Sequence, residues 1–330
     1  MPFNFLTVVR TGLFVSILFI VIFIFYLYKP LSVTETTIFE VHKGYGLIQV
    51  IDELYEQNLI ERPVFLKLYG KLFRKSKSIL IGEYLVLKDE TFIDLINKIT
   101  AGSIHYRQIR LKEGSTLREI LGLLESNPYV TKEGSIRDLS IIYLHLNINQ
   151  KSLEGLFHPD TYYYKKGDSY LGILKRAHMK HENILDETWR GRSLGLPYKN
   201  SYEALILASI IEKEGMEKKE IAGVFVRRLQ SKMKLQSDPT IIYALGKEFK
   251  GDIKSSHIKL KHPYNTYHIE GLPPSPIGLV SKTSIEASLN PSKGSSLYFV
   301  SKQDGTHFFS DTLDEHIKAV KKYQLNRNGS

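Results

Sequence analysis

The 330-residue chain contains no cysteine. Disulfide bonds, thiolate zinc sites and cysteine nucleophiles are therefore excluded, while an oxidising compartment is permitted. The chain also lacks an arginine-rich tract, since its 45 lysines and arginines are scattered among 35 acids. The net charge of +10 indicates an anionic partner such as a membrane surface or a cell-wall polymer, and no nucleic-acid partner is expected.

Histidine-based metal sites are not expected either. One helical stretch carries His178, His181 and Glu182, but this H-x-x-H-E spacing matches no metalloprotease pattern. We read these histidines as surface residues. We therefore predict no metal and no cofactor.

The N-terminal region is dominated by one apolar run. Residues 12–28 carry no charge and, with Thr11, approach the length that crosses a hydrocarbon core. A cleaved signal peptide is the alternative, but the exit Lys29-Pro30-Leu31 offers no small-x-small cleavage site. We expect residues 1–30 to form an uncleaved single-pass anchor, whose orientation is only weakly signalled by Arg10 and Lys29.

Residues 31–150 contain three copies of a short pattern in which a strand is followed by a lysine, a turn and a helix. Strand-like runs near residues 38, 85 and 109 each lead through a lysine and a turn into an amphipathic helix, and a further helix is predicted at residues 63–73. We predict small α+β modules here. The first resembles the LysM-type β-α-α-β module that binds glycan chains, and a purely structural spacer is the alternative.

The most distinctive segment is the helix predicted over residues 201–215, SYEALILASIIEKEG. Asn200 can cap it, Glu203 follows at the capping-box position, and Gly215 supplies a left-handed residue to end it. Between these signals nearly every position is apolar, which indicates a buried helix. Its end carries Glu212 and Glu214.

The two glutamates admit two interpretations. Both follow apolar residues at helical spacing, so burial could raise their pKa values and keep a proton for general-acid catalysis near neutral pH. Alternatively, this is an ordinary solvated last turn in which Lys213 pairs with either acid. Helical periodicity alone does not choose between them.

Residues 151–330 are predicted to form an α+β domain with a cleft. Helices are expected at residues 170–184 and 219–233, and Asp238 before Pro239 has the signature of a helix N-cap. Three prolines and two glycines in residues 271–278 predict a rigid loop, which is how a cleft wall is often built. The polar residues that we place around this cleft are Gln236, Asp238, Tyr264, Asn265 and Thr266, and Glu154 and Asp160 are second-line candidates.

Six blocks, in this order behind one apolar helix, resemble the YceG/MltG family of endolytic murein transglycosylases. They are LEGLFHPDTY, LASIIEKEG, QSDPTIIYALG, YNTY, GLPPSPI and LYFVSKQDGTHFFS. The resemblance extends from residue 1 to about residue 324. It departs from the family pattern at His158, where an aromatic or Leu-Phe pair is usual before Pro-Asp-Thr; this puts a local packing or sugar contact in doubt.

The resemblance implies an enzyme that cleaves peptidoglycan glycan strands internally, on the extracytoplasmic (periplasmic) side of the bacterial inner membrane. It places the catalytic acid at the first glutamate of the EKE motif, Glu212. For Glu214, which could tune the pKa of Glu212 or pair with Lys213, we favour a structural or tuning role. The implied reaction breaks the bond between N-acetylmuramic acid and N-acetylglucosamine and leaves a 1,6-anhydro end, without metal or cofactor. Strand termination beside peptidoglycan synthases is also implied.

For substrate binding, Asn265 is the strongest candidate to contact an acetamido or hydroxyl group. Two other functions remain open. One is a non-catalytic scaffold that binds peptidoglycan, and the other is a muramidase that hydrolyses the same bond through water.

Overall fold

The computed structural model describes residues 5–72 and 79–325 and has a mixed α/β architecture. Its contacts divide the chain into two compact units. The first comprises residues 1–107 and 163–167, and the second residues 108–162 and 168–330. Residues 108–150, which the sequence grouped with the N-terminal modules, therefore cluster with the second unit.

The first unit begins with the apolar helix α1 (Phe5–Tyr28). Its segment Leu6–Tyr28 spans 23 residues with a mean hydropathy of 2.6, and no other helix in the described ranges is long and apolar enough to cross a membrane. By length and composition this helix fits a membrane anchor, although a signal sequence has the same properties. Close to its end, the ring of Tyr26 stacks on Phe65 at a centroid distance of 4.8 Å.

The remainder of the first unit has the β-α-α-β order expected from the sequence. Its elements are β1 (Thr37–Val41), α2 (Leu47–Glu56), α3 (Pro63–Leu72), β2 (Gly82–Val86) and α4 (Phe92–Ala101). The strands pair antiparallel with Phe39 opposite Tyr84, and both rings are fully buried among the leucines and isoleucines of the helices. Phe73, the expected last residue of α3, lies outside the described residues.

Strands β3 (Arg107–Arg110) and β4 (Thr161–Tyr164) form a second two-stranded sheet, and they contain the boundaries between the units. Within the described residues, the second unit then adds nine α-helices and a third sheet. These elements are α5 (Leu117–Ser126), α6 (Leu139–Leu146), α7 (Tyr170–Arg190), α8 (Ser201–Glu214), α9 (Lys218–Gln230), α10 (Asp238–Leu245), α11 (Ser255–Ile258), α12 (Lys282–Leu289), β5 (Tyr298–Ser301), β6 (His307–Ser310) and α13 (Leu313–Val320).

Helix α8 is the centre of the second unit, as its apolar sequence predicted. Eight consecutive residues, 204–211, are buried, and α9 and α12 pack against the helix. The side chain of Asn200 caps it by accepting the N–H of Glu203 at 3.0 Å. The expected left-handed ending is wrong, because Gly215 has an extended φ of 163°.

Two other local predictions need correction. Helix α10 begins at Asp238 with Ser237 at the N-cap position, so Asp238 is not the capping residue. The helix expected at residues 170–184 continues to Arg190 as α7. His181, expected on its surface, is 1% exposed, and His178 is also buried.

Close packing between two loops makes Gly155 a sensitive position. Its φ is +77°, and a Cβ placed there would lie 2.5 Å from the Cβ of Pro276. Gly195 has a similar φ of +75°, but a Cβ there would meet nothing within 4 Å. The two glycines therefore separate the effect of backbone conformation from the effect of packing.

We predict that Gly155→Ala lowers the free energy of unfolding by about 2 to 4 kcal/mol, since a left-handed alanine costs about 1 kcal/mol and the clash adds the rest. Gly195→Ala should cost only about 1 kcal/mol. Denaturant unfolding of the full chain in detergent, followed by fluorescence of its one tryptophan, Trp189 in α7, measures both. Equal losses would contradict the packing argument.

Candidate active site

The end of helix α8 places Glu212 and Glu214 in different surroundings. Oε1 of Glu212 accepts a hydrogen bond from Nζ of Lys218 at 2.8 Å, at the start of α9. Its Oε2 accepts the backbone N–H and the hydroxyl of Ser281, the N-cap of α12, at 2.8 and 2.5 Å. The carboxylate therefore ties three helices together at a helix N-terminus, where a negative charge is favourable.

These contacts reverse the pKa shift that was expected for Glu212. Burial of the side chain, which is 5% exposed, acts to raise the pKa. The hydrogen bonds from Lys218 and Ser281 favour the ionised form and outweigh burial, so the pKa of Glu212 is lowered. The pKa shift of Glu212 is therefore opposite in direction to the one expected, and its role as the catalytic acid stays a prediction.

Glu214 has the property that was expected of Glu212. Burial raises its pKa to about 7, against the opposing effect of a hydrogen bond from Ser237, and the nearby negative charge of Asp238 raises it further. The hydroxyl of Ser237 donates to Oε1 of Glu214. Among the described residues, no hydrogen bond to its Oε2 is found.

Glu214 lines a cavity of about 630 Å³, which we call the large cavity. Its walls include Glu214, Arg228, Gln236, Asp238, Tyr267 and His307. The cavity is thus surrounded by α8, α9, the start of α10 and the β5–β6 hairpin. Its polar groups and its volume suit a polyhydroxylated ligand.

Three of the predicted polar residues meet in the large cavity: Glu214, Gln236 and Asp238. The carboxylate of Asp238 accepts the hydroxyl of Tyr267 at 2.8 Å. Gln236 has a φ of +52°, an unusual conformation for a residue other than glycine, and residues of this kind occur often at functional sites.

The YNTY segment has a structural role instead of the predicted contact with a ligand. Asn265 is fully buried, and its Nδ2 donates to the carbonyls of His257, Ile258 and Leu260 at 3.3, 3.0 and 2.8 Å. Its Oδ1 accepts the N–H of Tyr267 at 3.0 Å. All of its usual hydrogen-bonding groups are therefore occupied.

Thr266 and Tyr264 are also engaged internally. The hydroxyl of Thr266, which is fully buried, accepts the N–H of Ser237 at 2.9 Å. The hydroxyl of Tyr264 is 2.6 Å from that of Ser275. These contacts hold the loop before α10 in place, so the YNTY segment positions the cavity wall.

Glu154 lies in a second, smaller cavity of about 450 Å³, the small cavity. Its walls include Arg118, Glu119, Glu154, Lys213, Tyr243 and Lys247. Burial raises the pKa of Glu154 to about 7, although both oxygens accept hydrogen bonds, from the N–H of Leu117 at 2.8 Å and the hydroxyl of Tyr243 at 3.0 Å. Glu154 therefore joins α5 to α10, and neither of its oxygens is free of a protein donor.

The other sequence candidates lie away from both cavities. Asp160 pairs with Lys180, and this contact lowers the pKa of Asp160. His158 is buried, and burial lowers its pKa. Lys213, a suggested partner of the two glutamates, lines the small cavity and forms an ion pair with neither of them in the ranges that the structure describes.

Sequence reasoning missed three residues of the large cavity: Arg228, Tyr267 and His307. Arg228 is 6% exposed and is held by the carbonyls of Leu235 and Leu297 at 2.7 and 2.6 Å. In the sequence, Arg228 lies in an amphipathic helical pattern and His307 follows a glycine turn. Neither signal indicates by itself which cavity the side chain faces.

The site is thus a polar cleft in which one partly accessible carboxyl group retains a proton near neutral pH, an arrangement typical of enzymes that use acid catalysis. The model of the YceG-like family matches residues 39–322. The chain belongs to the YceG-like family.

Curated relatives agree with this membership. A protein of Bacillus subtilis (strain 168) named endolytic murein transglycosylase is 31% identical over 319 residues, which cover 89% of this chain and 87% of the relative. A protein of the same name from Streptococcus pneumoniae (strain R6) is 32% identical over 182 residues, covering 52% of this chain and 32% of that protein.

A solved structure is also similar. The crystal structure of a YceG-like protein from Listeria monocytogenes superimposes with a TM-score of 0.56 at 26% sequence identity. The match covers 87% of this chain and 99% of that one. The similarity therefore includes both compact units and not only the helices around the large cavity.

The opposite pKa shifts of the two glutamates predict opposite effects on stability. Glu212→Gln removes the charge that pairs with Lys218, so at pH 7 it should lower the free energy of unfolding by about 2 to 3 kcal/mol. Because the pKa of Glu212 is lowered in the folded state, its contribution exists above the ordinary value of 4.5 and is lost as the pH falls through the lowered value. The difference between variant and wild type should shrink in acid.

Glu214→Gln should behave in the opposite way. The proton of Glu214 stabilises the folded state fully below pH 4.5, and this contribution is lost as the pH rises through about 7. Relative to wild type, the variant should therefore gain up to about 3 kcal/mol between pH 4.5 and pH 8. Unfolding curves at several pH values, read from Trp189 fluorescence, test both variants, and parallel curves for the two would refute the assignment.

Proposed function

We propose that this chain is a membrane-anchored endolytic murein transglycosylase with Glu214 as its general acid. The names of the curated relatives support the reaction, and the family match covers most of the chain. The observation that supports Glu214 is its raised pKa of about 7 together with its place in the wall of the large cavity. Glu212, the acid implied by the resemblance, has a lowered pKa and hydrogen-bonds to Lys218 and Ser281.

The substrate that we propose is the glycan strand of peptidoglycan. Protonated Glu214 donates to the glycosidic oxygen between N-acetylmuramic acid and N-acetylglucosamine, and the bond to the muramic acid C1 breaks. The 6-hydroxyl of the same sugar attacks C1 and gives a 1,6-anhydro end. Because this nucleophile belongs to the substrate, proximity replaces both an activated water and the second carboxylate that ordinary glycosidases need.

Among the described residues, Glu154 is the other glutamate with a pKa raised to about 7, and it fits the role less well. Protein donors occupy both of its oxygens, so proton donation to a substrate would first require one of these contacts to break. Gln236 and Asp238 are the remaining predicted residues in the large cavity and the proposed glycan contacts.

The proposed role of the first unit is to position the second unit, which contains the large cavity. Its β-α-α-β order supports a LysM-like glycan-binding module, and a structural spacer gives the same geometry. The helix α1 is the proposed single-pass anchor, with the cavity-bearing unit on the extracytoplasmic side of the cell membrane. Peptidoglycan synthases are the proposed partners, because strands are terminated where they are made.

We expect Glu214→Gln to abolish the 1,6-anhydro products that the full chain, solubilised in detergent, releases from purified peptidoglycan. Mass spectrometry identifies them directly, since an anhydro end lacks one water relative to a reducing end. The comparison variant changes both members of the neighbouring ion pair, Glu212→Gln with Lys218→Met, which leaves no unpaired charge. The matched control changes an exposed ion pair away from both cavities, Glu125→Gln with Arg137→Met, and should retain full activity.

The other outcomes separate the alternatives. Loss of activity in folded Glu212→Gln with Lys218→Met, together with normal activity in Glu214→Gln, would return the acid role to Glu212. Reducing ends from the wild type would indicate a hydrolysing muramidase. Binding of glycan without any cleavage by the wild type would indicate a scaffold.

The anchor and its orientation predict a second result. The full chain should stay with membranes through an alkaline carbonate wash, whereas a variant without residues 1–30 should be released. Protease added to cells stripped of their wall should digest the chain beyond residue 30 while the membrane is intact. Protection of that region until the membrane is permeabilised would contradict the proposed orientation.

A further inference from the structure

The end of helix α1 is part of the hydrophobic core of the first unit. Leu27, in its last turn, and Leu31, just after it, are both buried in the apolar cluster formed by the β1–β2 sheet and its helices. Phe23, one turn earlier in α1, packs against the same cluster. The last turns of α1 and the β-α-α-β module therefore form one compact unit.

Helix α3 runs back along α1 from the point where α1 ends. At that point Nζ of Lys29 pairs with the carboxylate of Glu61 at 2.7 Å. Phe65, in the first turn of α3, stacks on Tyr26 with ring centroids 4.8 Å apart and lies 6.2 Å from the ring of Phe19. Phe19 precedes Tyr26 by two helical turns, or about 10 Å along the axis. The chain after Glu61 thus follows α1 toward its N-terminus.

The length of α1 gives the depth of this contact in a bilayer. Its uncharged run, residues 11–28, is about 27 Å long at about 1.5 Å per residue, and the hydrocarbon core is roughly 30 Å thick. A bilayer that α1 crosses therefore contains the whole run. Phe19 then lies near the middle of the hydrocarbon and Tyr26 near its edge. Phe65, which contacts both, lies below the level of the lipid headgroups.

Helix α3 has an exposed apolar face at this depth. Val64 and Leu72 are 72% and 63% exposed, and the partly buried Leu68 lies between them at a spacing of four residues. At about 100° per residue, Phe65 follows Leu72 around the helix, so the face that contacts α1 adjoins this apolar face. We call Val64, Leu68 and Leu72 the lipid face. In water its exposure would be unfavourable, whereas beside a membrane-spanning helix it would be covered by acyl chains.

Lysines border the lipid face on its other side. Lys67 and Lys71 are one turn apart and, by the same periodicity, lie between the lipid face and the buried side of α3. Lys67 pairs with Asp52 at 2.5 Å, whereas Lys71 is exposed and forms no ion pair with a described residue. Residues 62–72 contain no acid. An apolar face edged by lysines is typical of helices at a membrane interface, where the cations attract anionic headgroups.

We propose that α3 is an interfacial membrane helix. Its lipid face lies in the leaflet where α1 ends, and Lys71 contacts anionic lipid headgroups there. The proposal rests on the proposed anchor and makes no assumption about catalysis. It attaches the first unit to the membrane through two helices, α1 and α3, which restricts rotation of that unit about the axis of α1.

The absence of cysteine allows single labels to report the depth of chosen side chains. The variants Val64→Cys and Leu72→Cys carry an environment-sensitive fluorophore in the full chain, reconstituted into vesicles of phosphatidylcholine and phosphatidylglycerol. Quencher groups on the acyl chains detect contact with hydrocarbon, and aqueous iodide detects contact with water. Two controls carry the same label, Ile17→Cys in α1 and Leu194→Cys in a loop of the second unit, and both replace exposed apolar residues.

We expect the acyl-chain quenchers to act at least about threefold more strongly on the labels at Val64→Cys and Leu72→Cys than on the label at Leu194→Cys. Iodide should show the reverse order. The label at Ile17→Cys should be quenched by lipid and protected from iodide, because it lies within the membrane-spanning run. Unfolding curves read from Trp189 establish that each variant is folded.

The contact of Lys71 with headgroups has its own test in the Leu72→Cys background. Quenching by lipid should be weaker in vesicles of phosphatidylcholine alone than in vesicles that also contain phosphatidylglycerol. Lys71→Gln should reduce this difference, whereas Lys71→Arg, which keeps the charge, should preserve it. An equal difference in all three proteins would refute the role of Lys71.

The controls separate failure of the lipid face from failure of the anchor. If Ile17→Cys is quenched by lipid while both labels on α3 are as open to iodide as Leu194→Cys, the lipid face is refuted and the anchor stands. If the α3 labels are protected from iodide without being quenched by lipid, a protein surface such as a second copy of the chain covers them, and the proposal is overturned. If Ile17→Cys is not quenched by lipid, the anchor and the proposal both fail. Release of anhydro products is measured separately, so none of these results is confused with failure of the enzymatic function.

Discussion

The structure around the large cavity depends on one buried carboxylate, that of Glu212. It joins the end of α8 to Lys218 at the start of α9 and to Ser281 at the start of α12, with all three contacts between 2.5 and 2.8 Å. An ionised group in this position satisfies the N-terminus of one helix and the ammonium group of another, so the three helix ends are held in one place. Glu214, two residues further along α8, is thereby turned toward the opposite surroundings, where Ser237 is its one donor. The same turn of helix thus supplies a structural anion and a carboxyl group that keeps its proton.

Local patterns in the sequence predicted the elements well. The apolar run of α8 and its Asn200 cap each depend on residues a few positions apart, and both are present. The β-α-α-β order of the first unit follows from the same kind of short-range signal. The roles of the two glutamates could not be assigned in this way, because Ser281 is 69 positions from Glu212 and Ser237 is 23 from Glu214. Which glutamate loses its charge is decided by these distant donors.

The polar candidates show the same limit. Asn265 and Thr266 were selected because amides and hydroxyls in a loop suit sugar binding, yet the fold uses them to satisfy buried backbone groups beside the cavity. His307, by contrast, was not singled out from the sequence, and its partner Glu217 lies 90 positions away. A polar residue next to a cavity can either hydrogen-bond to the buried backbone that supports the cavity or lie in the cavity wall. Its hydrogen-bond partners distinguish the two cases. By that criterion Glu214, Gln236, Asp238 and His307 line the cavity.

The central claim is that Glu214 holds a proton near neutral pH while Glu212 does not, and a direct titration of the two carboxyl groups tests it most directly. The full chain in detergent, labelled with ¹³C at the glutamate carboxyl carbon, can be followed by NMR from acid to alkaline pH, with Glu212→Gln and Glu214→Gln used to assign the two signals. The account predicts that Glu214 titrates at about 7 and Glu212 below its ordinary value of 4.5. A Glu214 signal that titrates at or below 4.5, or a Glu212 signal that titrates near neutrality, would contradict it.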